Sequence, residues 1–207
     1  GFREGAETRT RLETLKRLRE FTEEGKVARE EKAGGINTHV HTSKSFAYFE
    51  SPSDAVWQAF LARIAVFGIN DHYTLAGHEE FGKACRACSI RATFSMEAVA
   101  MWEEAAKTKQ TVNDPSNPGR TYLTAKGVTR GFPAGCAGDA DLKRMSSALF
   151  ERNRQIAEKL AKVIATRLKA KGAIAWEDVL SLTPHGQPTE RHICLAAARW
   201  LEKTFQD

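Results

Sequence analysis

Apolar residues recur at two different periods along this chain, and the change of period marks its elements. Across residues 7 to 25, Leu12, Leu15, Leu18 and Phe21 return every third position among Arg, Lys and Glu, which predicts an amphipathic helix. Its charged face is read as solvated and its apolar face as packed on the body of the protein. Residues 26 to 35 are polar and end in glycine, a linker. Residues 36 to 41 alternate and predict a strand. Ser51-Pro52-Ser53-Asp54 then reads as a helix start: a capping hydroxyl, a proline suited to the first turn, and a carboxylate where a capping box needs one. Val56, Phe60, Ile64 and Phe67 are expected to form the buried stripe of that helix, with Gly68 stopping it. A second strand follows, ending in Ile69-Asn70-Asp71-His72. After a helix near Glu79–Cys88 comes a third strand, Ala92 to Glu97. Strands separated by single helices should be parallel and adjacent.

Beyond residue 103 the pattern changes. Thr111 to Gly119 is turn chemistry, Arg120 to Val128 suggests a fourth strand, and residues 131 to 138 form a second loop. From about 139 the chain is helical, with Leu149, Ile156, Leu160, Ile164 and Leu168 at helical spacing. A short helix starts near Ala175–Asp178, and Thr189 can cap a last one that turns Ile193, Ala197, Trp200 and Leu201 inward. No internal repeat or low-complexity tract occurs.

Composition narrows the class. A length of 207 residues suits one domain, or one domain with a subdomain, and 42% hydrophobic residues suit an ordinary core. No apolar run approaches the roughly 18 residues of a membrane span, so no membrane association is expected. The start, Gly1-Phe2-Arg3, lacks both an initiator methionine and a signal sequence and reads as a chain clipped partway in. A net charge of +5 suits an anionic substrate. Cys85 and Cys88 at helical spacing, with no second pair to complete a zinc clip, read as buried reduced thiols, and a cytoplasmic location is the expectation. Basic and aromatic residues are not interleaved on one face, so no stable nucleic-acid partner is expected.

The candidate chemistry lies at the strand ends. His39 and His41 are two apart on a strand and point the same way. Asp71 with His72 and then Glu97 close the next two strands, and parallel α/β folds place their sites at those ends. His, His, Asp/His and Glu make a nitrogen and oxygen donor set suited to Zn²⁺, Mn²⁺ or Fe²⁺. His78 is read as a capping or surface residue and His185 as a loop histidine.

Asn37-Thr38-His39-Val40-His41-Thr42-Ser43-Lys44-Ser45, then Gly68 to His78, then Phe94-Ser95-Met96-Glu97-Ala98 resemble the polymerase and histidinol phosphatase (PHP) superfamily over roughly residues 36 to 99. Arg152-Asn153-Arg154 and Thr189-Glu190-Arg191-His192 resemble, more distantly, the helical insert of its members acting on nucleoside bisphosphates and short oligonucleotides. The resemblance implies an α/β fold: part of a distorted (β/α)7 barrel with parallel strands, an N-terminal helix and a C-terminal helical segment. Its divisions are 1–35 (helix and linker), 36–132 (barrel strands) and 139–207 (helical subdomain). It implies one to three divalent ions (Zn, Mn or Fe) held by His39, His41, His72 and Glu97, the last bridging. It implies hydrolysis of phosphate esters, with Glu97 and Asp71 in the catalytic set, Asp71 orienting a ligand or water. Lys44, Arg191 and His192 are the expected phosphate contacts, and the expected substrate is a phosphorylated small molecule or short nucleotide.

The chain also departs from that pattern. Phe46 stands where an aspartate is usual, Tyr122 is the nearest equivalent of a missing histidine, and the closing His-Pro and Asp-x-His motifs are absent. The expectation is the first half of a barrel with weak or no hydrolysis by itself. The other reading is a non-catalytic module that binds phosphate or a protein partner.

Overall fold

The computed structural model describes residues 2–3, 5–32, 34–129, 131–170, 172–183 and 187–205. Its elements run α1 (Thr8–Glu23), β1 (Gly35–Val40), α2 (Pro52–Leu61), β2 (Ile64–His72), α3 (His78–Ala87), β3 (Arg91–Met101), α4 (Glu103–Lys107), β4 (Arg120–Lys126), α5 (Ala137–Leu168), α6 (Trp176–Ser181) and α7 (Glu190–Thr204). Among the described residues, no helix is long and apolar enough to cross a membrane.

Ser51 opens α2 as expected. Its side chain accepts the Asp54 N–H at 3.1 Å, and the Asp54 carboxylate accepts the N–H of Glu50 at 3.0 Å. The helix is shorter than the apolar spacing suggests. It stops at Leu61, Arg63 turns the chain in the left-handed region (φ 53°), and Ile64 already belongs to β2. Ile64, Val66 and Ile69 are β-branched, and on a strand they and Phe67 are free of helical crowding. Gly68 is therefore a mid-strand residue, not a helix stop. A Cβ there would lie 2.3 Å from Thr93 Oγ1 and 2.7 Å from the Thr38 Cα, so β1 and β3 close on β2 only because this residue has no side chain.

The sheet order is β1-β2-β3-β4, curled into a half-barrel. β1 pairs with β2 and β2 with β3 in parallel, as expected. The fourth strand differs, because β4 runs antiparallel to β3. A parallel return needs a crossover of a dozen or more residues, usually helical. The only helix in this connection is α4, of five residues. The connection instead closes as a loop, with Trp102 N–H on Gly119 O at 2.7 Å and Gly119 N–H on Gln110 O at 2.9 Å. β3 consequently runs on to Met101, and Glu97 lies within the strand rather than at its end. Across the concave face, Lys126 Nζ of β4 donates to Thr38 O of β1 at 3.3 Å.

Side chains alternate across the sheet. Phe67 and Ile69 of β2, with Ala92 and Phe94 of β3, face a core built with Leu15 of α1, Val56 and Phe60 of α2, and Phe81 of α3. The register places Gly68, Asn70 and His72 beside Thr93, Ser95 and Glu97 on the other, polar face. A second apolar core gathers Ala157 and Ile164 of α5, Val179 of α6 and Ile193 of α7.

Candidate metal centre and its cleft

β1 carries a bulge between Asn37 and Val40, where three steps along β1 face two along β2. Asn37 Oδ1 accepts the His39 N–H there at 3.1 Å. Val40 packs toward the apolar core, and His39 and His41 turn to the polar face. Their Nε2 atoms are 3.3 Å apart, and His39 Nε2 is 3.0 Å from Glu97 Oε2. These three residues form a group able to hold a metal ion. His72 stands beside it. Its Nδ1 is 3.5 Å from Glu97 Oε1, and its ring stacks on His41 with centroids 4.4 Å apart.

The donor chemistry fits a cation. His39 Nε2 faces the Asn70 side-chain nitrogen at 2.9 Å, as well as His41 Nε2 and Glu97 Oε2. One imidazole nitrogen has a single in-plane site, a proton or a lone pair, and cannot serve all three. A shared cation removes the conflict. Zn–N bonds of about 2.0–2.1 Å at tetrahedral angles put neighbouring donors about 3.3 Å apart, close to the separations here. Burial lowers the His41 pKa against the pull of Glu97, and burial with neighbouring His41 and Arg191 brings His72 down to about 4. Both imidazoles are neutral near pH 7, the form that binds metal.

Asn70 escaped the sequence reading. It is fully buried, and its amide donates to Glu97 Oε2 at 3.0 Å, tethering the carboxylate. Its position two residues before His72 on one strand face was the available signal. Asp71 points to the opposite face, where it accepts from Thr42 N (2.6 Å), Thr42 Oγ1 (2.6 Å) and Ser45 Oγ (2.8 Å). Burial raises its pKa against those three hydrogen bonds.

Glu97, His41 and His72 line a cleft of about 300 Å³ whose other wall comes from α5 and α7. Arg120, Arg152 and Arg191 border it, with Phe46, Tyr73 and Tyr122. Arg152 pairs with Glu190 at 2.6 Å and Arg120 with Asp114 at 3.4 Å. Arg191 has no carboxylate partner among the described residues, and its guanidinium lies over Phe46, 5.6 Å from the ring centroid.

Comparison with known proteins gives no matching family model and no matching curated protein. Among solved structures, the chain is similar to a protein proposed to be a metal-dependent phosphoesterase, from Bifidobacterium adolescentis. That match has a TM-score of 0.60 at 22% identity, over 86% of this chain and 53% of the other. It is also similar to an amidohydrolase from Chromobacterium violaceum, in a structure with bound sulfate and no metal. There the TM-score is 0.58 at 17% identity, over 83% and 51% of the two chains. The likeness is one of fold, and this chain spans about half the length of either neighbour.

Several candidate residues stand apart from the centre. The Lys44 side chain lines a separate hollow against α1 and α3. His192 is buried under Phe46, and its Nδ1 accepts the Thr189 N–H at 3.0 Å, the part a Glu or Gln plays at the third position of a capped helix. That contact and its burial, which lowers its pKa to about 4, suit a neutral capping residue better than a phosphate contact. His78 is buried rather than exposed, with Nε2 3.1 Å from Ser95 O. Cys85 and Cys88 are free and buried, and burial pushes their thiols up to about 12 and about 11. His185 lies outside the described residues.

Proposed function

We propose that this chain carries the metal centre of a PHP-type, metal-dependent hydrolase of phosphate esters. The observation that carries the reading is the convergence of His39, His41 and Glu97, the last two of which line a cleft bordered by three arginines. His39, His41 and Glu97 would hold the ion, zinc, manganese or iron, and His72 beside Glu97 would add a further donor. A divalent ion held there would supply Lewis acidity toward an ester oxygen and a more acidic water. Arg191 and Arg120 face the phosphoryl oxygens, where a planar guanidinium can make paired hydrogen bonds. Asn70 holds the Glu97 carboxylate in place, and Asp71 acts from behind the site by holding the loop that follows His41. The substrate class is a phosphorylated small molecule or short nucleotide.

A second reading is favoured by Phe46 and Tyr122, aromatic residues in the cleft where the resemblance expects ligands. It is a metal- or phosphate-binding module without turnover. One experiment separates the two. Elemental analysis of purified protein is expected to find Zn, Mn or Fe, lost in a His39→Ala, His41→Ala variant. Hydrolysis of an aryl phosphate with added Mn²⁺ is expected to be slow and to fall at least tenfold in Glu97→Gln. Metal retained in the double variant, or turnover indifferent to Glu97→Gln, excludes this site. Metal binding without turnover leaves the module.

A further inference from the structure

We infer that Ser45, held by Asp71, is a positioning residue that sets the tautomer of His41 and aims a bare Nε2 at the His39–Glu97 cluster. The inference rests on the metal-centre reading above and adds to it a residue and a task. Thr42, Ser45 and Asp71 are all fully buried. Residues 42 to 45 wind around the Asp71 carboxylate. Ser45 N–H bonds Thr42 O at 3.1 Å, and the Lys44 N–H reaches Thr42 Oγ1 at 3.3 Å. Asp71 Oδ2 is 2.6 Å from Thr42 Oγ1, and Oδ1 takes the Thr42 N–H at 2.6 Å.

Proton assignment follows from these contacts. An oxygen receiving a backbone N–H at that distance is an acceptor, so in the 2.8 Å contact between Ser45 Oγ and Asp71 Oδ1 the hydroxyl is the donor. A serine hydroxyl has one proton, and here it is already engaged. Ser45 Oγ therefore offers only lone pairs to His41 Nδ1, 3.5 Å away. The contact is attractive only with the imidazole proton on Nδ1. A neutral imidazole has one proton, so Nε2 is left bare, and Nε2 is the atom that faces His39. The opposite tautomer would set lone pair against lone pair at Ser45 and put an N–H among the ligands. Metal-binding histidines generally donate their second nitrogen to a fixed acceptor. In this chain the acceptor is a hydroxyl oriented by a buried carboxylate on the neighbouring strand.

The test is ¹⁵N NMR of histidine-labelled, metal-free wild-type chain, which needs no variant to fold. The His41 proton is expected on Nδ1. A dominant Nε2–H form overturns the inference. Ser45→Ala is expected to mix the tautomers and weaken Zn²⁺ binding by titration about tenfold, and Ser45→Thr, which keeps the hydroxyl, to recover both. Asp71→Asn keeps an acceptor oxygen for Thr42 N and Ser45 and is expected to leave the tautomer unchanged. A tautomer that shifts in Asp71→Asn but not in Ser45→Ala assigns the control to charge and overturns the inference, as does Zn²⁺ binding unchanged in Ser45→Ala. A fixed Nδ1–H form in a chain that binds no Zn²⁺ overturns the metal-centre reading and leaves the Ser45 assignment standing.

Discussion

At the scale of single residues, Gly68 and Asn70 place the candidate ligands His39 and Glu97. Gly68 lets Thr38 approach β2, and Thr38 immediately precedes His39. A methyl group there meets backbone atoms that cannot swing aside. Gly68→Ala is therefore expected to cost about 1–3 kcal/mol, the usual range for overpacking, read by urea unfolding. Because the strain falls on β1, Zn²⁺ affinity should drop with it, whereas an overpacked residue on the helix-facing side would lower stability alone. Asn70 acts by direct contact, tying Glu97 from the adjacent strand.

At the scale of elements, α1 is fastened by more than its apolar stripe. The charged face of this helix is expected to be solvated, yet Arg11 is buried, and its guanidinium grips Glu80 of α3 at 2.8 and 2.5 Å. Glu80 also accepts from Ser53 N (3.2 Å) and Ser53 Oγ (2.7 Å), which ties α2 to the same carboxylate. Burial pushes the Glu80 pKa up, but the hydrogen bonds from Arg11 and Ser53 and the Arg11 charge outweigh it, and the net shift is downward from 4.5. A carboxylate with a depressed folded-state pKa contributes stability that is present above about pH 4.5 and lost as pH falls through the lower folded value. Glu80→Gln is expected to cost about 1–3 kcal/mol at neutral pH, since it removes the charged acceptor that Arg11 and Ser53 share. It should also flatten the decline of stability below pH 4.5. Replacing both partners, Arg11→Met with Glu80→Leu, should recover only part of the loss, because the buried Ser53 N–H and Oγ then lose their acceptor. Urea titrations at pH 7 and pH 4 check all three.

At the scale of the whole molecule, the sheet and the cleft separate two apolar cores, and the loop after β1 links the two halves. Lys44 O accepts the Gln187 N–H at 2.9 Å, and Phe46 packs edge-on against His192 and under Arg191. The same loop is anchored to β2 through Asp71. A shift of α7 is therefore felt one residue from His41. Phe46→Ala is expected to speed amide exchange across α5 to α7 about tenfold or more, equivalent to a loss of about 1.4 kcal/mol or more of local stability, with β1 to β3 unchanged. Hydrogen-exchange mass spectrometry reads this directly. Equal acceleration in both halves would show that the halves do not open separately.

Much of this arrangement is local and was legible in the residues. Alternation along β1 puts His39 and His41 on one face, and short β-α-β returns make the first three strands parallel neighbours, so His72 and Glu97 come side by side. The capping residues mark the start of α2 in the same way. What the sequence could not decide depends on distant partners. The end of α2 was misplaced because Ile64 and Phe67 face the same core from a strand as they would from a helix. The direction of β4 depends on a loop closed by hydrogen bonds that no pattern announces. Lys44 follows His41 closely yet sits outside the cleft, while Arg120 and Arg152, far apart in the chain, border it together. The sequence by itself determined which side chains share a strand face, since that follows from a fixed two-residue period. Only the tertiary structure decided which cations cross the cleft and which oxygen orients His41, because those contacts form only when separate elements close on one another.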